Sequence, residues 1–223
     1  TPRGGRLRSG SAGAPPISPS TASDALTLLE SDVDADPFRQ FAAWLEEASA
    51  AGEPMPNAMA LATSSRDGEP SVRMVLLEAA DERGFSFQTN LESPKARDLA
   101  AVPRAAATFF WPTLIRQVRI SGSIQPLSRE EVEAYFTALP EPIQAMLTAS
   151  HQSQVIASRA ALEQSFAEAV AADHRRLPDH WGGYRLRPDW IEFWQGRENW
   201  LQDRLRYLRG AAPTAWRIER LVP

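Results

Sequence analysis

Hydrophobic positions follow a helical spacing near the beginning of the chain and a strand-like alternation from residue 57 onward. Apolar side chains recur three and four residues apart between Phe38 and Leu45, which predicts an amphipathic helix that ends at Gly52. Asp36 can cap the first amide groups of this helix, and Pro37 fits its first turn. The helix therefore covers a core that the later strands supply.

Nine stretches alternate between apolar and polar side chains or are rich in β-branched and aromatic residues, which is typical of strands. The predicted strands are residues 57–63, 71–78, 85–89, 105–111, 115–125, 184–187, 190–195, 205–208 and 215–221. Turn sequences at 66–68 and 81–84 join the first three, which are interpreted as a meander.

Helices are predicted between these strands. Ser93 and Pro94 open a short helix over 95–101, and a capping box begins with Ser128 and gives a helix that ends near residue 138. Pro140 and Pro142 are predicted to end that helix, and a further helix is expected over 160–172. Strands grouped in the middle and at the end, with helices inserted, indicate an α+β fold built on an antiparallel barrel or sheet.

The domain organisation is one folded unit with an N-terminal extension. Residues 1 to about 22 are rich in Gly, Ser, Pro, Ala and Arg with little to bury, so we predict a flexible arm over 1–35 and a folded domain over 36–223.

Composition narrows the function classes. There is no cysteine, three histidines are too few and too scattered for a metal site, and Lys+Arg 24 against Asp+Glu 28 gives a net charge of -4, so neither a metal nor a nucleic acid is expected as a partner. No segment reaches the roughly 20 apolar residues of a membrane span, and no secretory signal is visible. A cytoplasmic protein is expected.

The stretch 190–204 mixes aromatic, amide and arginine side chains. If it is extended, Trp200, Gln202 and Arg204 share one face, and Leu201 and Asp203 share the other. That face suits a pocket for a flat, partly charged ligand. A half-buried edge strand with its polar ends in water is an equal alternative.

Other motifs leave the chemistry open. No glycine-rich phosphate loop and no Gly-x-Ser-x-Gly elbow occurs. Arg73 lies in an apolar strand and Lys95 at a helix start, so together they can hold a phosphate. Gln117, Gln152 and Ser153 add neutral hydrogen-bonding groups of the kind that bind a planar heterocycle. For each of these residues taken alone, an ordinary polar side chain at the surface is the favoured interpretation.

Together, these residues resemble a known family. The chain is similar to the pyridoxamine/pyridoxine 5'-phosphate oxidase family, and the resemblance extends over residues 36–223. It is carried by the segments 56–59, 73–77, 111–118, 152–154, 180–184, 191–195 and 204–207. This resemblance implies a split β-barrel homodimer with FMN at the subunit interface. It also implies that the flavin accepts a hydride from a small-molecule substrate and passes electrons to dioxygen.

The resemblance assigns most of the family's FMN contacts to residues of this chain. The cofactor set that it implies is Arg73, Met74, Val75, Leu76, Gln88, Thr89, Lys95, Gln117, Gln152, Ser153, Trp194 and Arg204. Pro94 departs from the pattern, because the family usually has a basic residue there.

The implied substrate set departs much further. Glu78 stands where the family has Lys, and Leu139 and Ile143 follow Tyr135 where the family has Arg and Ser. Trp200 and Gln202 replace the Arg and His of the closing motif. We therefore predict Glu78, Tyr135, Leu139, Ile143, Trp200 and Gln202 as substrate-binding residues, with Glu78 and Gln202 as catalytic candidates.

The pattern predicts an FMN-dependent oxidase or dehydrogenase for a non-phosphorylated aromatic or heterocyclic molecule in specialised biosynthesis, similar in kind to the flavin oxidases of phenazine biosynthesis. The alternatives are a pyridoxine phosphate oxidase with relocated ligands, a non-catalytic flavin-binding protein and a nicotinamide-dependent flavin reductase.

Overall fold

The computed structural model of this protein describes residues 27–171, 176–198, 200–212 and 215–223. Its helices are α1 (Pro37–Ala50), α2 (Pro94–Ala101), α3 (Arg129–Ala138), α4 (Glu141–Ala149) and α5 (Arg159–Ala171). Its strands are β1 (Ala58–Ser64), β2 (Pro70–Leu76), β3 (Ala79–Asp81), β4 (Gly84–Asn90), β5 (Arg104–Trp111), β6 (Arg116–Pro126), β7 (Trp181–Gln195), β8 (Asp203–Arg209) and β9 (Trp216–Arg220). In the described part of the chain, no helix is long and apolar enough to span a membrane.

All nine strands belong to one curled antiparallel sheet, which confirms the α+β split-barrel prediction. Its main path runs β2-β1-β5-β6-β7-β4-β3, with β8 paired to β7 and β9 paired to β8. The β1–β2 hairpin forms as predicted. The meander prediction was wrong, because β4 pairs with β7 and β3 rather than with β2. Curling nevertheless brings β2 and β4 near each other.

β7 is one strand of 15 residues, whereas the sequence predicted two strands separated at Pro188. The pairing with β6 shifts between Ser121 and Gly122, so that Gly122 lies opposite Pro188 and Ser121 opposite Trp190. This bulge accommodates the missing N–H of proline without ending the strand. A Cβ on Gly122 would lie 1.9 Å from the carbonyl oxygen of Arg187, so only glycine fits there.

The core lies between α1 and the concave face of the sheet. Phe41 is fully buried and packs against Phe85 and Phe109 at centroid distances of 5.0 Å each, while Trp44 meets Phe193 edge to face. Asp36 caps α1 by accepting from the amide of Phe38. The sequence pattern thus predicted the start of this helix and the burial of Phe38 and Phe41, whereas Trp44 and Ala48 rather than Ala42 and Leu45 complete the buried face.

The helices after β6 differ from the prediction at the two prolines. The capping box of Ser128 and Glu131 is present at the start of α3. Beyond it the chain does not remain irregular, because α4 begins at Glu141 with Pro142 in its first turn. Proline lacks only an N–H that is unpaired at that position, so it is compatible with a helix start. Pro142, which was predicted only to end α3, therefore lies in the first turn of α4.

Part of the segment assigned to the N-terminal arm lies within the described residues. Leu28 is buried, and its amide donates to Asp203 at 3.3 Å. Arg220 donates to the Leu28 carbonyl at 2.7 Å, and the Tyr207 hydroxyl donates to the Asp34 carbonyl at 2.7 Å. Residues 27–35 thus contact β8 and β9, and the arm prediction for 1–26 lies outside the described residues.

Candidate functional site

A cavity of about 570 Å³ opens where β2 approaches β4, between α2, α3 and α4. Residues 71–76 of β2 and residues 88 and 89 of β4 contribute to it, and the helices close two of its sides. The lining residues are Ser71, Val72, Arg73, Met74, Val75, Leu76, Glu78, Gln88, Thr89, Pro94, Lys95, Tyr135, Leu139, Ile143, Leu147, Gln152, Ser153 and Trp181. Thirteen of these residues belong to the predicted cofactor and substrate sets.

Lys95 lies in the first turn of α2 and is 8% exposed. Its ammonium group donates to Thr89 at 2.9 Å, Ser93 at 3.2 Å and Gln152 at 2.8 Å, so all three partners are neutral oxygens. Burial lowers the pKa of Lys95 to about 8, and the positive charge of Arg73 adds to this effect. A negatively charged group bound beside Lys95 would oppose this lowering of its pKa.

Arg73 reaches the same end of the cavity from β2. Its guanidinium group donates to the Leu61 carbonyl at 3.1 Å and to the hydroxyl groups of Thr63 at 2.8 Å and Ser71 at 2.7 Å. Burial lowers the pKa of Arg73, although Asp98 opposes the shift. No described carboxylate lies within ion-pair distance of Arg73 or Lys95. This pair, next to the N-terminus of α2, has the chemistry of a phosphate site.

Glu78 also lines the cavity, five residues beyond Arg73, and the charged groups that act on it are Arg185 and Glu131 rather than Arg73 and Lys95, so it lies at another end of the cavity. Its carboxylate accepts from the side-chain amide of Gln88 at 2.9 Å. Partial burial raises the pKa of Glu78. Burial also raises the pKa of Tyr135, and the charge of Glu78 adds to that shift. The two ends of the cavity therefore carry opposite charge.

The wall between these ends is largely apolar. Leu139, at the end of α3, and Ile143, in α4, line it together with Leu147 and the exposed side of β2. Met74 on β2 is 63% exposed. Such a surface suits the face of a flat ring system.

A second group of predicted residues lies on the sheet outside the cavity. Gln117, Trp194 and Arg204 occupy one row across β6, β7 and β8, because Gln117 is opposite Trp194 and Trp194 is opposite Arg204. Arg204 is held by Glu192, which is 3% exposed; both the Nε and one terminal nitrogen of Arg204 lie 2.8 Å from the same carboxylate oxygen. This ion pair orients the Arg204 guanidinium group within the row.

Trp200 and Gln202 lie in the loop between β7 and β8, so the prediction of an extended face shared with Arg204 was wrong. Trp200 has a φ of 62° and is 81% exposed. Gln202 accepts from the amide of Arg197 at 2.6 Å, which closes the loop. β7 ends at Gln195 and β8 begins at Asp203.

The structure thus brings one set of predicted residues together and leaves another apart. Arg73, Met74, Val75, Leu76, Glu78, Gln88, Thr89, Lys95, Tyr135, Leu139, Ile143, Gln152 and Ser153 line one cavity, whereas Gln117, Trp194, Trp200, Gln202 and Arg204 do not reach it within one chain. Leu147 and Trp181 also line it but were not predicted as site residues. Trp181 could have been predicted, because it lies in the 180–184 segment that resembles the family. Leu147 could not, because it lies in α4, a helix that was not predicted after the two prolines.

Comparison with known proteins identifies the family. Residues 45–171 match the family described as pyridoxamine 5'-phosphate oxidase, and residues 181–223 match the pyridoxine 5'-phosphate oxidase C-terminal dimerisation region. The chain belongs to the pyridoxamine 5'-phosphate oxidase family. The second match supports a homodimer, and it contains Trp194, Trp200, Gln202 and Arg204.

Similar proteins from bacteria cover most of the chain. Pyridoxine/pyridoxamine 5'-phosphate oxidase from Burkholderia multivorans is 52% identical over 201 residues, covering 88% of this chain and 94% of that protein. The protein of the same name from Salinibacter ruber is 48% identical over 200 residues, with coverages of 88% and 93%. These relatives support an oxidase.

Two solved structures share the fold. PhzG from Burkholderia lata, in complex with tetrahydrophenazine-1-carboxylic acid, has a TM-score of 0.81 and 34% identity, covering 88% of this chain and 98% of its own. A pyridoxamine 5'-phosphate oxidase-related, FMN-binding protein from Nostoc punctiforme has a TM-score of 0.69 at 20% identity, covering 84% and 97%. The family supports flavin binding, and these neighbours support the fold.

Proposed function

We propose that this protein is an FMN-dependent oxidase of a non-phosphorylated aromatic or heterocyclic small molecule in specialised biosynthesis. The observation that carries the proposal is the division of charge in the cavity. Arg73 and Lys95 are the cations among the described lining residues, and the far end carries Glu78 instead. One anionic group fits the cavity beside Arg73 and Lys95. The end that carries Glu78 has no cation among the described lining residues to bind a second anionic group.

The residues at the first end fit the FMN phosphate. Lys95 and Arg73 donate to neutral oxygens, and the charge of Arg73 contributes to the lowered pKa of Lys95. A dianion bound there therefore offsets this repulsion and gains charge-assisted hydrogen bonds. Thr89, Gln152 and Ser153 add neutral contacts there, and β2 offers Met74, Val75 and Leu76 beside the flavin ring. When bound, FMN supplies a hydride acceptor that dioxygen can reoxidise.

The homodimer completes the site in this proposal. Gln117, Trp194 and Arg204 form a row that the same chain's cavity does not use, and most of that row lies in the matched dimerisation region. A partner placed there brings this row to the flavin, and brings the exposed Trp200 to the open side of the cavity. Trp200 then stacks on the substrate, while Gln202 orients a polar substituent or holds the loop.

At the substrate end, Leu139 and Ile143 form an apolar floor and Tyr135 lies beside Glu78. Glu78 either binds a basic group or accepts a proton. A substrate phosphate there loses two or three charge-assisted hydrogen bonds of about 1.5–3 kcal/mol each, which corresponds to an affinity loss on the order of 10³-fold or more.

The test begins with purified protein titrated with FMN and ends with a gain-of-function variant. We expect one FMN per chain, and we expect the triple substitution Glu78→Lys, Leu139→Arg and Ile143→Ser to raise kcat/KM for pyridoxine 5'-phosphate by about 10²-fold or more, because it restores groups that pair with phosphate. Leu147→Met, on the same wall, is the control and is expected to leave that value within about threefold.

A second candidate is pyridoxine/pyridoxamine 5'-phosphate oxidase itself with relocated phosphate ligands. The observation that favours it is the 52% identity to a relative of that name across 88% of the chain. In that case the unsubstituted protein turns over pyridoxine 5'-phosphate efficiently, and the triple variant gains nothing. FMN that binds but is reduced by no donor would instead indicate a non-catalytic flavin-binding protein.

A further inference from the structure

The substrate end of the cavity has an excess of negative charge. Among the described residues, Glu78, Asp81 and Glu131 have two guanidinium groups near them, those of Arg83 and Arg185, which leaves these five groups with a net charge of −1. Both arginines are engaged by the other two carboxylates: Arg185 lies 3.3 Å from Asp81 and 2.7 Å from Glu131, and Arg83 lies 2.7 Å and 3.1 Å from the same pair. Glu78 is therefore the carboxylate without a cation of its own.

Gln88 holds the Glu78 carboxylate in place. Its amide nitrogen donates to Glu78 at 2.9 Å, and its own carbonyl oxygen is buried without a hydrogen-bond partner. The amide is thus oriented toward Glu78 even though its carbonyl stays unpaired. One Glu78 oxygen has this amide as its partner, and the carboxylate is exposed to the cavity, so it can accept from a ligand.

We propose that Glu78, positioned by Gln88, binds a protonated amino group of the substrate. This inference rests on the proposed function, because it takes the cavity beside Glu78 as the substrate site. An ammonium group supplies several N–H donors and the missing positive charge, a hydroxyl group supplies one donor without charge, and a phosphate or carboxylate adds a second negative charge. The substrate class is an aromatic or heterocyclic amine.

Neighbouring groups support this selectivity. Burial raises the pKa of Glu78, and the nearby Glu131 charge acts in the same direction, while Gln88 and Arg185 oppose both. The carboxyl group consequently gains from a cationic partner. Tyr135 keeps its proton because burial and the Glu78 charge raise its pKa, so its hydroxyl group stays neutral beside the ligand.

Three probes that differ in one substituent test the proposal: 2-naphthylmethylamine, 2-naphthylmethanol and 2-naphthylmethyl phosphate. Each is titrated at pH 7 against the FMN-loaded protein, with binding followed by the change in flavin absorbance or fluorescence. We expect the amine to bind about tenfold or more tightly than the alcohol, and the phosphate to bind most weakly.

Two variants separate the charge of Glu78 from its surroundings. Glu78→Gln keeps the size of the side chain, and we expect it to weaken amine binding about tenfold while alcohol binding changes less than about threefold. Gln88→Met removes the positioning amide and is expected to weaken amine binding less than Glu78→Gln does. FMN affinity and the thermal midpoint are measured for both.

The proposal is overturned if the unsubstituted protein binds the amine no more tightly than the alcohol, or if Glu78→Gln leaves the amine affinity unchanged. Failure of the proposed function looks different. Efficient turnover of pyridoxine 5'-phosphate rejects the proposed function whatever the probe ranking is, whereas an absent amine preference without such turnover rejects only the role of Glu78.

Discussion

Proton uptake by Lys95 should make FMN binding depend on pH. Burial and the charge of Arg73 lower the pKa of Lys95 to about 8, while an unperturbed lysine has a pKa of about 10.4. A bound phosphate dianion favours the charged ammonium and returns the pKa toward or above that value. Between the two values, binding therefore takes up one proton.

The direction and size of the effect follow from this linkage. Below about pH 8 Lys95 is already protonated, so the Kd for FMN is flat. Above it the Kd rises by up to about tenfold per pH unit, which amounts to about 30-fold between pH 7 and pH 9.5. The phosphate contributes little to this slope, because a phosphate monoester is mainly dianionic above about pH 7.

Fluorescence titrations of FMN into the cofactor-free protein at several values between pH 7 and pH 9.5 measure the slope. Lys95→Met is the matched control, because it keeps the side-chain length and removes the titrating group. We expect the Lys95→Met variant to bind FMN more weakly at pH 7 and its Kd to change little with pH. The Kd of the unsubstituted protein should approach that of the variant at high pH. Parallel pH profiles for the two proteins refute the assignment of Lys95 to the phosphate.

Further predictions concern the second residue row and the scaffold. Glu192→Gln should weaken FMN binding by about tenfold with little change in thermal midpoint, since it loosens Arg204 by removing a charged hydrogen-bond partner; an unchanged Kd would show that this pair is only structural. Gly122→Ala should destabilise the fold by about 2–4 kcal/mol in denaturant unfolding, because its Cβ meets the Arg187 carbonyl at 1.9 Å. Tyr207→Phe should cost about 1 kcal/mol by losing the hydrogen bond to residue 34, and equal stability would argue against packing of that segment.

Local signals in the sequence predicted much of the fold. The spacing of Phe38 to Leu45, the capping box of Ser128 and the alternation in the strands identified α1, α3 and the antiparallel sheet. The errors arose where a local signal competes with a distant contact. Pro188 looks like a strand end, and only its position opposite Gly122 shows that the two strands continue as one.

The candidate site divides in the same way. Resemblance to the family selected the residues, and the fold brought those of β2, β4, α2, α3 and α4 into one cavity. The position of Trp200 outside that cavity could not be predicted, because alternation assumes an extended chain and this residue lies in a turn with positive φ. The local charge excess around Glu78 also depends on Arg185 of β7, which lies more than 100 residues away in sequence and became visible only in the fold.

The most direct test of the central claim compares pyridoxine 5'-phosphate with pyridoxine, which differ only in the phosphate, as substrates of the FMN-loaded protein. Oxygen consumption gives kcat/KM for each compound. Because the Glu78 end of the cavity has no free cation among the described residues, we predict that the phosphate gives no advantage and that the ratio of the two values is about one or lower. A ratio on the order of 10³ in favour of the phosphate would contradict the account.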